Sequence, residues 1–207
     1  MKTEYSLILG LVLVLVASVA RAQDADDITR QAGARIAITT CANCHGKGGN
    51  SISSKFPNLA GQRPNYLEAQ LKAFRGQTRG DPDALAYMWG MAAPLTDVTI
   101  HGVSEYYASQ KPGPGRPGDP QLVGRGEDVY KNGVPAKGIP ACATCHGPNA
   151  EGLADFPRLA GQQGAYLEKQ LRSFKSELRE MAAMHAVTEH LEPAEMDAVA
   201  AYLQSLN

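Results

Sequence analysis

Hydrophobic residues recur at three- and four-residue intervals through most of the chain, and runs of strict alternation are absent. Leu67, Leu71 and Phe74, for example, fall on one face of a helix. Residues 97–110 and 193–206 show the same spacing. The pattern therefore predicts an all-α fold.

A second copy of this pattern follows 100 residues later. Residues 56–74 match residues 156–174 at 12 of 19 positions, and Tyr66 and Gln70 on the predicted helix face both recur in the second copy. Such agreement within one chain indicates an internal duplication.

A Pro/Gly-rich segment separates the two copies. Residues 111–120 contain four prolines and three glycines, which cannot continue a helix or a central strand. We therefore expect a semi-rigid linker here, between a domain at residues 23–110 and a second at 121–207.

A helix is predicted before each cysteine pair of the chain. Gly33 with Ile36 in the first copy matches Gly126 with Val129 in the second. A small residue at this position would let two helices approach closely.

The first 22 residues differ in composition from the rest. Lys2 precedes an apolar run of 13 residues, Leu7–Val19, and Ala20-Arg21-Ala22 fits the small-residue cleavage site of a secretory signal peptide. We expect residues 1–22 to be a signal peptide. An uncleaved anchor is the alternative, although the run is shorter than the roughly 20 residues that span a bilayer.

The charged residues of the chain do not indicate a particular class of binding partner. Without residues 1–22 the chain has 18 basic and 20 acidic residues, and it shows no basic cluster. This argues against nucleic-acid binding. No later segment is apolar enough to cross a membrane.

The candidate chemistry lies in the cysteines. All four occur in two Cys-x-x-Cys-His-Gly motifs, formed by Cys41, Cys44 and His45 and by Cys142, Cys145 and His146. In such a motif the thiols bond to the two vinyl groups of a haem, and the adjacent imidazole reaches the iron. Two covalent c-type haems are predicted, and each would complete the core of a domain of fewer than 90 residues.

Three other uses of these cysteines are weaker. A thioredoxin-like dithiol requires a strand-helix-strand setting, and a zinc site requires further ligands that recur in both copies. Structural disulfides would not explain the His-Gly that follows each pair.

The second axial ligand of each iron is predicted from the repeat. When Leu95 is aligned with Leu191, Met88 and Met184 each lie seven residues upstream. No other methionine position is shared. Methionine opposite histidine fills the coordination of the iron and favours electron transfer over substrate binding.

Alternatives to these methionines stay open. Both could be core residues, because methionine packs readily in irregular cores. His185 or His190 could replace Met184, although their partners in the first copy are Trp89 and Pro94.

Pro57 and Pro157 follow the two motifs at matching positions. A carbonyl near each proline could accept the second N–H of the motif histidine. The alternative is a simple reversal of the chain.

The motifs, the Phe-Pro-x-Leu-Ala-Gly-Gln-x-x-x-Tyr-Leu-x-x-Gln-Leu segments and Met-Trp-Gly-Met-Ala-Ala-Pro-Leu-Thr-Asp at 88–97 resemble the dihaem cytochrome c4 family. The resemblance implies two tandem class I cytochrome c domains that face one another, with the haems near the contact. The sequence departs from the pattern at 174–184, which is four residues shorter than its counterpart.

The same resemblance implies a periplasmic carrier without enzyme activity, between a quinol-oxidising bc-type complex and a terminal oxidase. We expect a monomer, with peripheral membrane association left open. A cytochrome subunit of a flavocytochrome or another periplasmic dehydrogenase is the main alternative. A dihaem peroxidase, which needs a displaceable iron ligand, is the third hypothesis.

Overall fold

The computed structural model describes residue 23 and residues 27–207 of the chain. Helices dominate these residues, and extended pairing among them is limited to the bridge between Val134 and Ile139. The all-α prediction is confirmed. The predicted signal peptide at residues 1–22 lies outside the described residues.

The first half has four main helices. These are α1, which covers 27–36 and continues through a π-helical turn, Ala37–Cys41, into Ala42–His45; α2, Pro64–Arg75; α3, a π-helical turn Ala84–Met88 followed by Trp89–Ala92; and α4, Asp97–Ala108. A short 3₁₀ turn occupies Lys47–Gly49.

The second half repeats this order with one insertion. Its helices are α5, Pro120–Asn132; α6, Ala143–His146; α7, Gly164–Lys175; α8, Ala182–Thr188; and α9, Pro193–Ser205. A loop with a 3₁₀ turn at Pro135–Lys137 separates α5 from α6, whereas α1 runs directly into its motif.

Side chains before the long helices fix where those helices begin. Thr96 forms a capping box with Thr99 at the start of α4, and Glu192 forms one with Glu195 at the start of α9. The Asp119 carboxylate accepts two backbone N–H groups of α5, which satisfies donors that have no partner inside a helix.

The first and last helices of each half cross at glycine. A Cβ on Gly33 would lie 1.9 Å from the backbone carbon of Gly102 on α4, and one on Gly126 would lie 1.9 Å from the carbonyl oxygen of Ala198 on α9. The prediction that a small residue permits a close approach is confirmed, because the two backbones touch where a side chain would have to be.

Each half packs its own core. In the second half, Tyr130, Leu191 and Met196 are at most 2% exposed within one cluster of buried residues. In the first half, one cluster surrounds Tyr107 and a second surrounds Phe74.

The predicted linker is bonded to both halves. The Asn50 side chain donates to the carbonyl of Lys111 and accepts from the N–H of Gly113, and the N–H of Arg116 donates to the carbonyl of Gln204. Pro120, its last residue, is the first residue of α5, where its missing N–H costs nothing. None of the described helices is long and apolar enough to span a membrane.

Candidate haem sites and the contact between the halves

His45 lies at the end of α1 and is 7% exposed. Its Nδ1 lies 2.9 Å from the carbonyl oxygen of Pro57. A carbonyl oxygen can only accept, so Nδ1 carries the hydrogen and Nε2 keeps its lone pair. This is the tautomer that a metal-binding histidine requires.

His146 repeats this arrangement at the end of α6. It is also 7% exposed, and its Nδ1 lies 3.1 Å from the carbonyl oxygen of Pro157. Burial lowers the pKa of both His45 and His146, and the bond to the proline carbonyl only partly opposes this effect. Both imidazoles are therefore neutral near pH 7.

The glycine after each histidine turns the chain out of its helix. Gly46 has φ of 76° and Gly147 has φ of 87°, a region that favours glycine. This turn brings the following segment, with its phenylalanine, back over the imidazole. The rings of Phe56 and Phe156 lie 6.1 and 6.0 Å from the rings of His45 and His146, edge to face.

Cys41 and Cys142 are half-buried, whereas Cys44 and Cys145 are exposed. Burial raises the pKa of Cys142 to about 11, opposite to the lowered thiol pKa of redox-active dithiols. Each motif thus places one half-buried and one exposed thiol beside a buried imidazole, an arrangement that fits a haem attached through two thioether bonds.

Met88 ends the π-helical turn of α3, and Met184 lies on α8. Both are partly buried, whereas Met91 and Met181 are 44% and 48% exposed. Met88 packs against the cluster around Phe74. The two methionines selected from the repeat thus share an environment that their neighbours lack.

The residue after each methionine bonds to the preceding segment. Trp89 Nε1 donates to the carbonyl of Arg79 at 2.8 Å, and His185 Nδ1 lies 3.0 Å from the carbonyl of Phe174. His185 therefore replaces Trp89 as a ring that ties its helix to the chain before it. His190 is exposed.

The two halves meet through the segments that follow the motifs. The Gln62 side chain accepts from the N–H of Arg158 at 2.7 Å and donates to its carbonyl at 2.9 Å. In return, the Gln162 side chain makes the same two bonds to Asn58, at 2.7 and 2.9 Å. The contact is reciprocal, as at an interface between two copies related by twofold symmetry.

A second cross-contact, which we call the arginine cluster, joins α2 and α7 to the loops after them. Arg79 and Arg179 are each 6% exposed, and both donate to the side-chain oxygens of Gln70 and of Gln170 at 2.7 to 2.8 Å. Asp81, which is 2% exposed, accepts from Arg79 Nε at 2.7 Å.

Tyrosines of opposite halves complete the arginine cluster. Arg179 donates to the Tyr66 hydroxyl at 2.8 Å, and Arg79 donates to that of Tyr166 at 3.3 Å. The guanidinium groups also stack on Phe74 and Phe174, with centroid distances of 4.7 and 4.5 Å. These bonds set the two halves in one relative position.

Four residues of the contact, Gln62, Gln162, Arg79 and Arg179, were not among the predicted site residues. Their signal was present in the repeat, because each glutamine and each arginine recurs 100 positions later. Asp81 carries no such signal, since the residue 100 positions later is Met181.

Comparison with known proteins agrees with this geometry. The cytochrome c family model matches residues 31–111 and, again, residues 123–207. The chain is 40% identical over 183 residues to cytochrome c4 of Thiocapsa roseopersicina, an alignment that covers 86% of this chain and 92% of that protein. It is 38% identical over 173 residues to a thiosulfate dehydrogenase electron acceptor of Thiomonas intermedia, covering 79% and 77%.

A solved structure of a related protein has a similar fold. The cytochrome c4 structure from Acidithiobacillus ferrooxidans matches with a TM-score of 0.77 at 37% identity, covering 80% of this chain and 98% of that one. The chain therefore belongs to the cytochrome c family. It is a dihaem c-type cytochrome of the c4 type, with two covalently bound haem c groups, and it carries electrons.

Proposed function

We propose that this cytochrome is a periplasmic electron carrier of a respiratory chain. In this proposal Cys41 and Cys44 attach one haem, and His45 and Met88 ligate its iron. Cys142 and Cys145 attach the second, which His146 and Met184 ligate. The observation that carries the proposal is that each motif imidazole is buried, neutral and held through Nδ1, with Nε2 free to bind.

Bound haem supplies an iron that cycles between the ferric and ferrous states. The proline carbonyls hold each imidazole in one orientation and one tautomer, with Nε2 available to the iron. Met88 and Met184 would be the second protein ligands of the two irons and would leave no site for water or substrate to bind. Such a protein transfers electrons and catalyses no bond chemistry, so we propose that it is not an enzyme.

Two observations support Met184 over the histidines beside it. His185 occupies the position of Trp89, whose indole cannot bind iron and whose bond to a backbone carbonyl His185 repeats, and His190 is exposed. We accordingly assign methionine ligation to both haems.

The charge of the arginine cluster also fits the cofactor. It buries two guanidinium groups with one carboxylate, Asp81, among their hydrogen-bond partners in the described chain. A buried excess of positive charge favours a nearby anion. Haem c carries two carboxylates. We propose that the carboxylates of the two haems provide this negative charge.

We further propose domains at 23–110 and 121–207, joined by 111–120 and exported by the signal peptide at 1–22. The expected partners are a bc-type complex as electron donor and a terminal oxidase as acceptor. We expect a monomer, with peripheral membrane association possible and no role for nucleic acid.

A second candidate is favoured by one comparison. The relative from Thiomonas intermedia is a thiosulfate dehydrogenase electron acceptor, which suggests that this chain could take electrons directly from a periplasmic dehydrogenase. Purification from native membranes and periplasm separates the two. Stable co-elution with a dehydrogenase would support the second candidate and contradict a free carrier.

The ligand assignment predicts the effect of two substitutions. Met88→Ala and Met184→Ala should each remove about half of the weak far-red band of methionine-ligated ferric haem. Each should also lower one midpoint potential by a few tenths of a volt, within the roughly 0.8 V that axial ligands span. Optical spectra with a redox titration measure both effects.

Met91→Ala and Met181→Ala are the matched controls, because both side chains are exposed. They should retain both haems, the full band and both potentials. Carbon monoxide should bind the reduced Met88→Ala and Met184→Ala proteins but not the unchanged protein. Ready binding to the unchanged protein would instead support the peroxidase hypothesis.

A further inference from the structure

The cross-contacts of Gln62 and Gln162 end on two particular peptide groups. The peptide group between Pro57 and Asn58 has two polar atoms, the Pro57 oxygen and the Asn58 N–H. Its oxygen faces His45 Nδ1 at 2.9 Å, and its N–H donates to Gln162 Oε1 at 2.7 Å. A single planar group therefore joins the motif histidine of the first half to a side chain of the second.

The opposite half contains the same chain of contacts. The peptide group between Pro157 and Arg158 faces His146 Nδ1 with its oxygen at 3.1 Å and donates its N–H to Gln62 Oε1 at 2.7 Å. Each histidine is thus linked through one peptide group to the glutamine of the other half.

The glutamines are held in place for this contact. Both are 7% exposed, so water competes little for their amides. Each Oε1 also accepts the next backbone N–H of its own half, from Arg63 or Gln163, at 2.9 Å. The acceptor oxygen is therefore also held by a bond within its own half.

Hydrogen bonds in a chain polarise one another. A peptide group that donates its N–H to a fixed acceptor carries a more negative oxygen. That oxygen pulls more strongly on the imidazole Nδ1–H and makes the other nitrogen a stronger donor to a metal. A stronger donor stabilises ferric over ferrous iron and lowers the midpoint potential.

We propose that Gln62 and Gln162 are positioning residues that set the donor strength of the histidine in the opposite half. Gln62 acts on His146 and Gln162 acts on His45. The midpoint potential of each haem then depends on the docking of the other half, so the two sites are coupled through the contact. The inference rests on the proposed ligation of iron by His45 and His146.

The proposal predicts a crossed result. Gln62→Leu removes the acceptor of the Arg158 N–H, and we expect it to raise the midpoint potential of the His146 haem while leaving that of the His45 haem unchanged. Gln162→Leu should do the reverse. Redox titration of the dihaem protein measures the potentials, and NMR of the reduced protein assigns each change through the Nδ1–H resonance of His45 or His146.

Two further variants separate this role from a loosened contact. Gln62→Glu keeps an oxygen for the Arg158 N–H with more negative charge, so it should shift the His146 potential downward. Gln163→Leu breaks another buried bond between the halves, from its Nε2 to the Ser51 carbonyl at 2.8 Å, and should shift the histidine signals little. If either Leu variant at 62 or 162 moved both potentials equally, or neither, the proposal would be overturned.

Failure of the proposed ligation would look different. In that case the Nδ1–H signals of the unchanged protein would lack the large hyperfine shift that direct ligation of ferric iron produces on oxidation. If the signals do respond but the crossed pattern is missing, ligation stands and only the role of the glutamines is rejected. Should Gln62→Leu fail to fold, the sign of the Gln62→Glu shift alone decides, because an upward shift contradicts the proposal.

Discussion

Gly126→Ala is expected to destabilise the second half by about 2 kcal/mol or more and to reduce its haem incorporation. The added Cβ would lie 1.9 Å from the carbonyl oxygen of Ala198 and 2.8 Å from Cβ of Tyr202. Helices α5 and α9 would have to separate, which loosens the core around Tyr130. Overpacking of this kind typically costs about 1 to 3 kcal/mol, and occasionally more.

Gly124→Ala on the same helix is the matched control. Its Cβ would have no atom within 4 Å apart from the adjacent residues and the backbone of its own helix, and the position is exposed. Alanine should therefore stabilise the helix by roughly 0.5 to 1 kcal/mol. Denaturant unfolding followed by circular dichroism, with haem content measured in parallel, compares the two. Equal stabilities would contradict the close helix crossing.

Asp81→Asn is expected to destabilise the protein by about 3 to 5 kcal/mol, the usual cost of leaving a buried charge without its partner. Asp81 is 2% exposed and bonds Arg79 through Oδ2, while Gln170 donates to its other oxygen at 3.2 Å. Without it, the two buried guanidinium groups would lose the carboxylate of the described chain that bonds Arg79, and the proposed haem carboxylates would have to balance both charges. The hydrogen bonds that these guanidinium groups make between the two halves would weaken as well.

Asp83→Asn, two residues away, is the control for Asp81→Asn. Asp83 also pairs across the contact, with Lys169, but both side chains are about a third or more exposed. Exposed pairs contribute about 0 to 1 kcal/mol, so this variant should be nearly neutral. A comparable loss in both variants would contradict a special role for the buried carboxylate.

The stability of the protein at acid pH should also depend on Asp81. Burial alone would raise the pKa of Asp81, but the charge of Arg79 and the bonds from Arg79 and Gln170 outweigh it and hold the pKa below its ordinary value. The contribution of Asp81 is therefore complete above the unfolded-state pKa of about 3.9 and is lost as the pH falls through the lower folded-state pKa. The acid dependence of unfolding below about pH 4 should be weaker in Asp81→Asn.

Much of the haem site could be predicted from residues that lie close together in the sequence. Cys-x-x-Cys-His spacing specifies the type of cofactor because five consecutive residues contain both attachment thiols and one iron ligand. The proline carbonyl as partner of each histidine was also predictable, since Pro57 and Pro157 share one offset in the repeat. The helices followed from apolar spacing, and α2 and α7 lie where that spacing placed them.

The helix faces were less completely determined. Tyr66 and Gln70 share helical spacing with Leu67 and Phe74, and the sequence placed them together. The structure separates them: Leu67 and Phe74 enter the core of their own half, while Tyr66 and Gln70 bond Arg179 of the other. Apolar spacing cannot distinguish these faces, because a buried contact between halves also selects large, partly apolar side chains.

The sequence by itself determined the duplication, the helices and the type of cofactor, because each depends on residues close together in the chain or repeated at a fixed offset. Only the tertiary structure decided how the halves meet. Gln62 reaches Arg158, and Arg179 reaches Tyr66, across 96 and 113 positions. Such pairs depend on packing and burial, which turn ordinary polar residues into the contact that holds the two haem sites together.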